Sequence, residues 1–353
     1  MEWIPSNRRG FFATICQFFF TLAGIALSVG AFFLQDWRLI QIVLAVSNAA
    51  AVTYFWFAPE PLQWLMLNNQ VDKARIIWRQ IAEFNRVELS VEDVRELESF
   101  QYKKTEKTYS MLDCFRTPGI RRNTLLACFA WFATFMTYLG LSFVITDIAP
   151  NLYHNLIIGG VMELIPCALA AYLVAKYGPK YPLLSYFVSG GILAIIVAVI
   201  PASSYTASMA KNSLAILCRM CLLGCMSTVT FFTVELFPTV IRNSAYGLCA
   251  AAMHIGGMVS HELFFLENVS TFKGIPVLVL GVIALLGGLA TFFLPQTNGK
   301  MTDTIEEAEE VALDMETMVK PPLLEFLRKR KVVTVAKPQP STERIEFTST
   351  SFN

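Results

Sequence analysis

Glu163, Arg219 and His254 stand near the middle of otherwise apolar runs. A charge in hydrocarbon costs several kcal/mol unless it is paired or hydrated, so each is a candidate for ion recognition or for an internal ion pair. Glu163 and Arg219 are opposite in sign. A buried pair between their helices explains both more simply than direct contact of Glu163 with a ligand. His254 carries the side-chain type that changes charge near neutrality; the alternative for it is a neutral ring hydrogen-bonded to a neighbouring helix. Cys218, Cys221 and Cys225 could share a helical face and suit a soft metal. Soft packing residues in a tight bundle are the simpler reading, so no metal is assigned. Enzymatic chemistry is not indicated. There is no Gly-rich phosphate loop ending in Lys-Ser/Thr, the sparse polar residues at depth spell no nucleophile–base constellation, and no cofactor is implied.

These side chains are carried by about eight apolar runs of roughly 19–25 residues, the length at which an α-helix crosses the hydrocarbon core of a bilayer. The runs are Gly10–Leu34, Leu39–Ala58, Thr124–Ile145, Leu156–Ala175, Pro182–Ile200, Ser213–Val234, Ser244–Phe265 and Ile275–Leu294. The first is uncharged and shows almost none of the polar face that a soluble helix of that length would carry. Composition agrees: 55% of the 353 residues are hydrophobic and 16% charged. A net charge of +1 argues for neither nucleic acid nor an acidic substrate. The reading is an all-α polytopic membrane protein, with the lipid bilayer as its main partner.

Charge distribution orients it. With both termini in the cytosol, only Arg38, Lys211 and Lys273 of the 28 Lys and Arg fall in outer loops, and Arg219 lies within a helix. The opposite orientation violates the positive-inside bias. The first run is too long for a signal peptide and no cleavage site follows it. All eight cysteines lie in helices or in the cytosolic loop, so no outer-loop disulfide is expected.

Four regions follow. Residues 1–58 form a helix pair. Residues 59–123 form a polar cytosolic insert, with helical spacing over Leu65–Phe84 and Ser90–Phe100; Ser90 and Asp93 resemble a helix cap. Residues 124–295 form six helices with short connections, and residues 296–353 a tail. The tail reads as an acidic helical stretch Thr304–Glu316, a solvated basic cluster Arg328–Lys331, and a disordered Ser/Thr-rich end Pro338–Asn353. Asn268-Val-Ser270 is a glycosylation sequon too close to the membrane to be expected in use.

Several segments carry a family resemblance. Glu235-Leu-Phe-Pro-Thr-Val-Ile-Arg242-Asn243 follows an apolar helix. Glu2-Trp3-Ile4-Pro5 stands with Arg9 at the start, Pro59-Glu60-Pro61-Leu62-Gln63-Trp64-Leu65 opens the insert, and Trp131-Phe-Ala-Thr134 precedes Tyr138-Leu139-Gly140-Leu141. Together they resemble solute carrier family 22, the organic cation, anion and carnitine transporters of the major facilitator superfamily. The likeness runs to about Glu310 and implies helices five to twelve of a twelve-helix carrier. It leaves a partial amino-terminal bundle beside a complete six-helix carboxyl-terminal one.

The resemblance implies a secondary transporter of small organic ions. At the position of His254 the family carries Asp in cation transporters and Arg in anion and carnitine transporters. Protonated His254 is therefore expected to favour anions or zwitterions. Tyr138, Phe20 and Ser227 match ligand-lining positions; Phe231 could stack on a planar ligand. Glu163 and Arg219 match an acid and a base of the eighth and tenth helices. Glu2, Arg9, Glu235 and Arg242 are expected at cytosolic helix ends as gate or packing charges, while Trp131 reads as an aromatic near a helix start that could anchor at the interface. Departures from the family pattern stand at Gln63, at Gly178-Pro179-Lys180 and at Pro295-Gln296-Thr297-Asn298-Gly299, where gate charges are usual. With four family helices without counterpart, the alternative expectation is a truncated carrier that does not transport alone and associates with a full-length carrier. Plasma-membrane location follows from the resemblance only.

Overall fold

The computed structural model describes residues 9–57, 59–60, 65, 70–86, 110–148, 152–201, 204–265, 274–297, 305–306 and 308–309. Every regular element among them is helical. In order these are α1 (Arg9–Leu34), α2 (Trp37–Val52), α3 (Tyr54–Phe57), α4 (Val71–Asn85), a 3-10 turn (Met111–Phe115), α5 (Pro118–Ile148), α6 (Leu152–Tyr177), α7 (Lys180–Val199), α8 (Tyr205–Leu236), α9 (Arg242–Glu262) with a 3-10 turn (Leu263–Phe265), and α10 (Ile275–Phe293). Seven helices are long and apolar enough to cross a membrane: α1 and α5 to α10. Only closed intrahelical hydrogen bonding lets a backbone lie in hydrocarbon, which is why the apolar runs become helices.

The second expected span is the exception. Leu39–Ala58 is broken at Thr53, whose hydroxyl donates to Ala50 O at 2.6 Å, leaving α2 with 16 residues. At 1.5 Å per residue that helix reaches about 24 Å, short of a core of about 30 Å. Asp36 starts it, accepting from the Arg38 amide at 2.9 Å, and α2 buries no side chain within the described fold.

Three helices outrun the sequence expectation. α5 begins at Pro118 rather than Thr124 because its first turn is capped from a distance. The Glu309 carboxylate accepts from Gly119 N at 3.0 and 3.1 Å and from Ile120 N at 3.3 Å, a charge-assisted cap at the positive end of the helix. Pro118 itself suits a first position because its missing N–H needs no partner there. α8 begins at Tyr205 rather than Ser213, with Ser204 Oγ accepting from Ala207 N at 3.2 Å. α6 extends on both sides, from Leu152 to Tyr177.

α5 is the centre of the bundle, packed against α8, α9 and α10, while α7 packs on α10 and α8, and α6 on α1 and α8. Trp131, Phe187, Phe232 and Leu222 fill the core. Helices approach closely where glycine permits, since packing rather than hydrophobic exclusion drives association in lipid. A Cβ at Gly256 of α9 would overlap the Phe132 carbonyl of α5, and Cβ atoms at Gly191 of α7 or Gly281 of α10 would each stand 3.1 Å from the other glycine's carbonyl oxygen.

In the insert, α4 ends at Arg86 in the left-handed region, and Ser110 with Asp113 forms a capping box ahead of α5. Past α10, Ile305 is buried in the core, with Ala308 packed against it. Residues 61–64 of the loop motif, Ser90–Phe100, the sequon, Arg328–Lys331 and Pro338–Asn353 lie outside the described residues, as does most of Thr304–Glu316.

Candidate functional site

Three helices bring polar groups together near their middles. Arg219 of α8 sets its Nε 2.7 Å from Glu163 Oε1 of α6, with the side chains 16% and 6% exposed. The ion pair inferred from the sequence is present. Arg219 Nη2 donates to the Tyr138 hydroxyl of α5 at 3.1 Å, and the guanidinium lies over the Tyr138 ring, 5.0 Å from its centroid. That hydroxyl faces both Glu163 carboxylate oxygens at 3.5 Å. Opposite charges balance within the cluster, and the phenol joins them.

A column of small polar groups continues from it. Cys167, one turn past Glu163, has its Sγ 3.8 Å from Thr21 Oγ1 of α1 and 3.8 Å from Ser227 Oγ of α8. Ser227 also donates to Leu223 O at 3.1 Å. Between Glu163 and Cys167 stands Pro166, which removes one backbone donor from the middle of α6. Nearer the opposite end from the insert, Asn155 of α6 and Asn212 of α8 exchange two amide hydrogen bonds at 3.3 and 3.2 Å.

His254 stands midway along α9. Its ring is exposed and meets Phe135 of α5 edge-on, with centroids 6.0 Å apart. Phe135 and Tyr138 are three residues apart on one helix, about one turn. α5 therefore bears on its flanks both the α6–α8 cluster and the histidine of α9, within about 5 Å along its axis.

The remaining sequence candidates fall elsewhere. Phe20 is 61% exposed on α1, next to Thr21, which points into α6. Phe231 is 5% exposed and buried with Val174. Glu235 accepts from Thr297 Oγ1 at 2.7 Å, so this helix-end charge meets the segment following α10. Arg242 donates to Phe237 O and Thr239 Oγ1, both at 3.2 Å, bracing the turn between α8 and α9. Arg9 lies in α1, its side chain undescribed, and Glu2 lies outside the described residues. Trp131 is no interface anchor: it is 2% exposed, and its indole donates to Thr233 Oγ1 of α8 at 2.8 Å. A buried indole needs such a partner.

Among the described residues no group of three or more His, Cys, Asp or Glu side chains is placed to hold a metal. Cys218 instead donates to Gly190 O at 3.0 Å. Sequence reasoning missed the contacts of Phe135, Asn155, Asn212 and Thr233, because each partner lies on another helix and no local pattern announces it.

Residues 1–308 match the profile described as sugar (and other) transporter. An organic cation transporter-like protein of Drosophila melanogaster is 30% identical over 324 residues, covering 88% of this chain and 56% of its own length. Solute carrier family 22 member 6-A of Xenopus laevis is 28% identical over 316 residues, with coverage of 88% and 56%. Organic anion transporter 3 of Oryctolagus cuniculus is 30% identical over 337 residues, with coverage of 94% and 61%. The chain thus spans a little over half the length of these relatives, whose names include both cation and anion transporters. In fold it is similar to the major facilitator superfamily proton:xylose symporter XylE, with a TM-score of 0.63 and 19% identity over 88% of this chain and 68% of that one.

Proposed function

The chain belongs to the sugar (and other) transporter family, and from that premise we propose that it carries small organic ions across a membrane by secondary transport, anions or zwitterions in preference to cations. The observation that carries this reading is the Tyr138–Glu163–Arg219 cluster, buried at mid-helix depth and joined through α5 to an exposed His254. Ionisable groups at that depth are rare and costly, and their presence in a transporter fold supports a functional site there. The cluster is balanced by its own opposite charges, which leaves His254 to set the sign of the bound ion. A proton on the imidazole adds a positive charge beside Phe135, which supplies a face for the ligand's apolar part. Both ion classes named among the relatives are open to this scaffold; His254 is the reason for preferring anions.

The arrangement of charge supports an orientation with both chain ends in the cytosol. Arg116, Arg121, Arg122, Lys176, Lys180 and Arg242 gather at the helix ends facing the insert, whereas Arg38 and Lys211 stand at the opposite ends. Plasma-membrane location is proposed with it, on family likeness.

A second reading is a carrier-like subunit that binds a full-length carrier. The bare α2, which buries no side chain, favours it. One experiment separates the two. The chain is expressed alone and given a tracer panel of organic anions, cations and carnitine-like zwitterions, beside the His254→Ala variant. Transport predicts saturable anion uptake, with a KM raised about tenfold in His254→Ala, equivalent to about 1.4 kcal/mol. Anion uptake whose KM is unchanged in the variant refutes the role of His254. Absence of any uptake by the chain alone, with recovery of a full-length carrier on co-purification when the two are co-expressed, favours the subunit.

A further inference from the structure

Outside the polar cluster, two thiols meet across the α5–α9 helix pair. Cys128 of α5 and Cys249 of α9 place their Sγ atoms 3.8 Å apart, although 121 residues separate them in sequence. Cys249 is fully buried and Cys128 half-buried, so one sulfur is open to a small reagent while the other is shielded. The helices carrying them are held in register by the close approach of Gly256 to the Phe132 carbonyl and by the Phe135–His254 edge contact. Of the other described cysteines, Cys218 donates to Gly190 O, Cys167 faces two hydroxyls, Cys225 is fully buried, and Cys221 is half-buried on the same helix as Cys218 and Cys225. Cys114 lies in the turn before α5. Burial first, then Asp113 and Cys128, push its thiol up from the ordinary range, so it stays protonated and unreactive.

We propose that Cys128 and Cys249 form an oxidisable dithiol that closes to an interhelical disulfide when a hydroperoxide reaches Cys128. In the first step the Cys128 sulfur attacks the peroxide oxygen. An S–O bond forms and the O–O bond breaks, giving a sulfenic acid and, from hydrogen peroxide, one water. In the second step Cys249 attacks the Cys128 sulfur. The S–S bond forms, the S–O bond breaks, and the departing hydroxide leaves as water with the Cys249 proton. Two thiols are oxidised and one peroxide is reduced. The sulfurs must close by about 1.8 Å to reach bonding distance, a movement within reach of side-chain rotation while the helices stay packed. The product staples α5 to α9 within about two turns of the Phe135–His254 contact on each helix, fixing the register of those two rings.

The test uses the full chain, purified and exposed to hydrogen peroxide. Thiols are then capped with N-ethylmaleimide under unfolding conditions and the protein is digested for peptide mass analysis. The expected result is parallel loss of the adducts on Cys128 and Cys249, a linked peptide joining them, and recovery of both adducts after dithiothreitol. Cys114 and Cys218 should keep their adducts. In Cys249→Ala, folded as judged by unchanged elution, Cys128 should instead accumulate a dimedone adduct of its sulfenic acid. In Cys128→Ala the Cys249 adduct should withstand the same peroxide. The proposal is overturned if wild-type Cys128 gives the dimedone adduct without the linked peptide, if it couples to Cys114, or if both thiols withstand peroxide.

Discussion

Removing one partner of the Glu163–Arg219 pair should reveal an asymmetry that follows from acid–base chemistry. Glu163→Gln leaves a guanidinium that cannot shed its charge, held between a phenol and apolar neighbours with a side chain only 16% exposed. Arg219→Gln leaves a carboxylate that can neutralise itself by taking a proton, with the Tyr138 hydroxyl still 3.5 Å away. Breaking a buried pair from one side costs about 3–5 kcal/mol, and the upper end belongs to Glu163→Gln. At about 2 °C per kcal/mol for a chain of this size, that variant should melt roughly 10 °C lower. Arg219→Gln should fall by about 6 °C or less. The double variant, which removes both charges, should melt above Glu163→Gln alone. The assay is thermal unfolding of detergent-solubilised protein followed by size-exclusion fluorescence, with all four proteins in one buffer. Simple additivity of the two single losses would falsify the idea that these charges hold each other in place. A larger loss in Arg219→Gln than in Glu163→Gln would refute the argument from protonation.

Glu309→Gln weakens three charge-assisted contacts at the start of α5, and should destabilise by about 1–2 kcal/mol. Hydrogen exchange at the Gly119 and Ile120 amides should rise while exchange at mid-α5 stays slow. Thr233→Val leaves the Trp131 indole N–H buried without its acceptor, at a cost of about 1–3 kcal/mol, read as a lower melting temperature that Trp131→Phe in the same background partly restores. Gly256→Ala must displace the Phe132 carbonyl, destabilising by about 1–3 kcal/mol. Gly247→Ala, whose Cβ meets nothing within 4 Å, should be neutral or slightly stabilising.

Most spans were legible because hydropathy and the need to satisfy every backbone group leave helix as the answer for a long apolar run. Their ends were less so. The start of α5 depends on a carboxylate 190 residues away, and the break at Thr53 depends on a local hydroxyl bond that hydropathy does not register. Within the candidate site, Glu163 and Arg219 announced themselves as charges of opposite sign in apolar runs. Trp131 did not reveal its burial, since the acceptor that permits it, Thr233, lies on another helix. Phe231 shows the same limit: an aromatic in a membrane helix reads alike whether it lines a hollow or fills the core, and here it lies buried with Val174. The Cys128–Cys249 contact has no sequence signal at all, because each residue alone is an ordinary small packing side chain.

Gly191 and Gly281 have a mechanical consequence. Where two backbones approach this closely, with the Leu285 and Ile195 side chains packed over the glycines, sliding or rolling drives a carbonyl or a side chain into the other helix, so α7 and α10 behave as one rigid plank. Whatever movement this protein undergoes must then be sought on the other side of the molecule. Spin labels on α7 and α10 should keep a constant separation in every state, as should labels on α5 and α9 across the Gly256–Phe132 approach, and probes on α6 and α8 should report the travel.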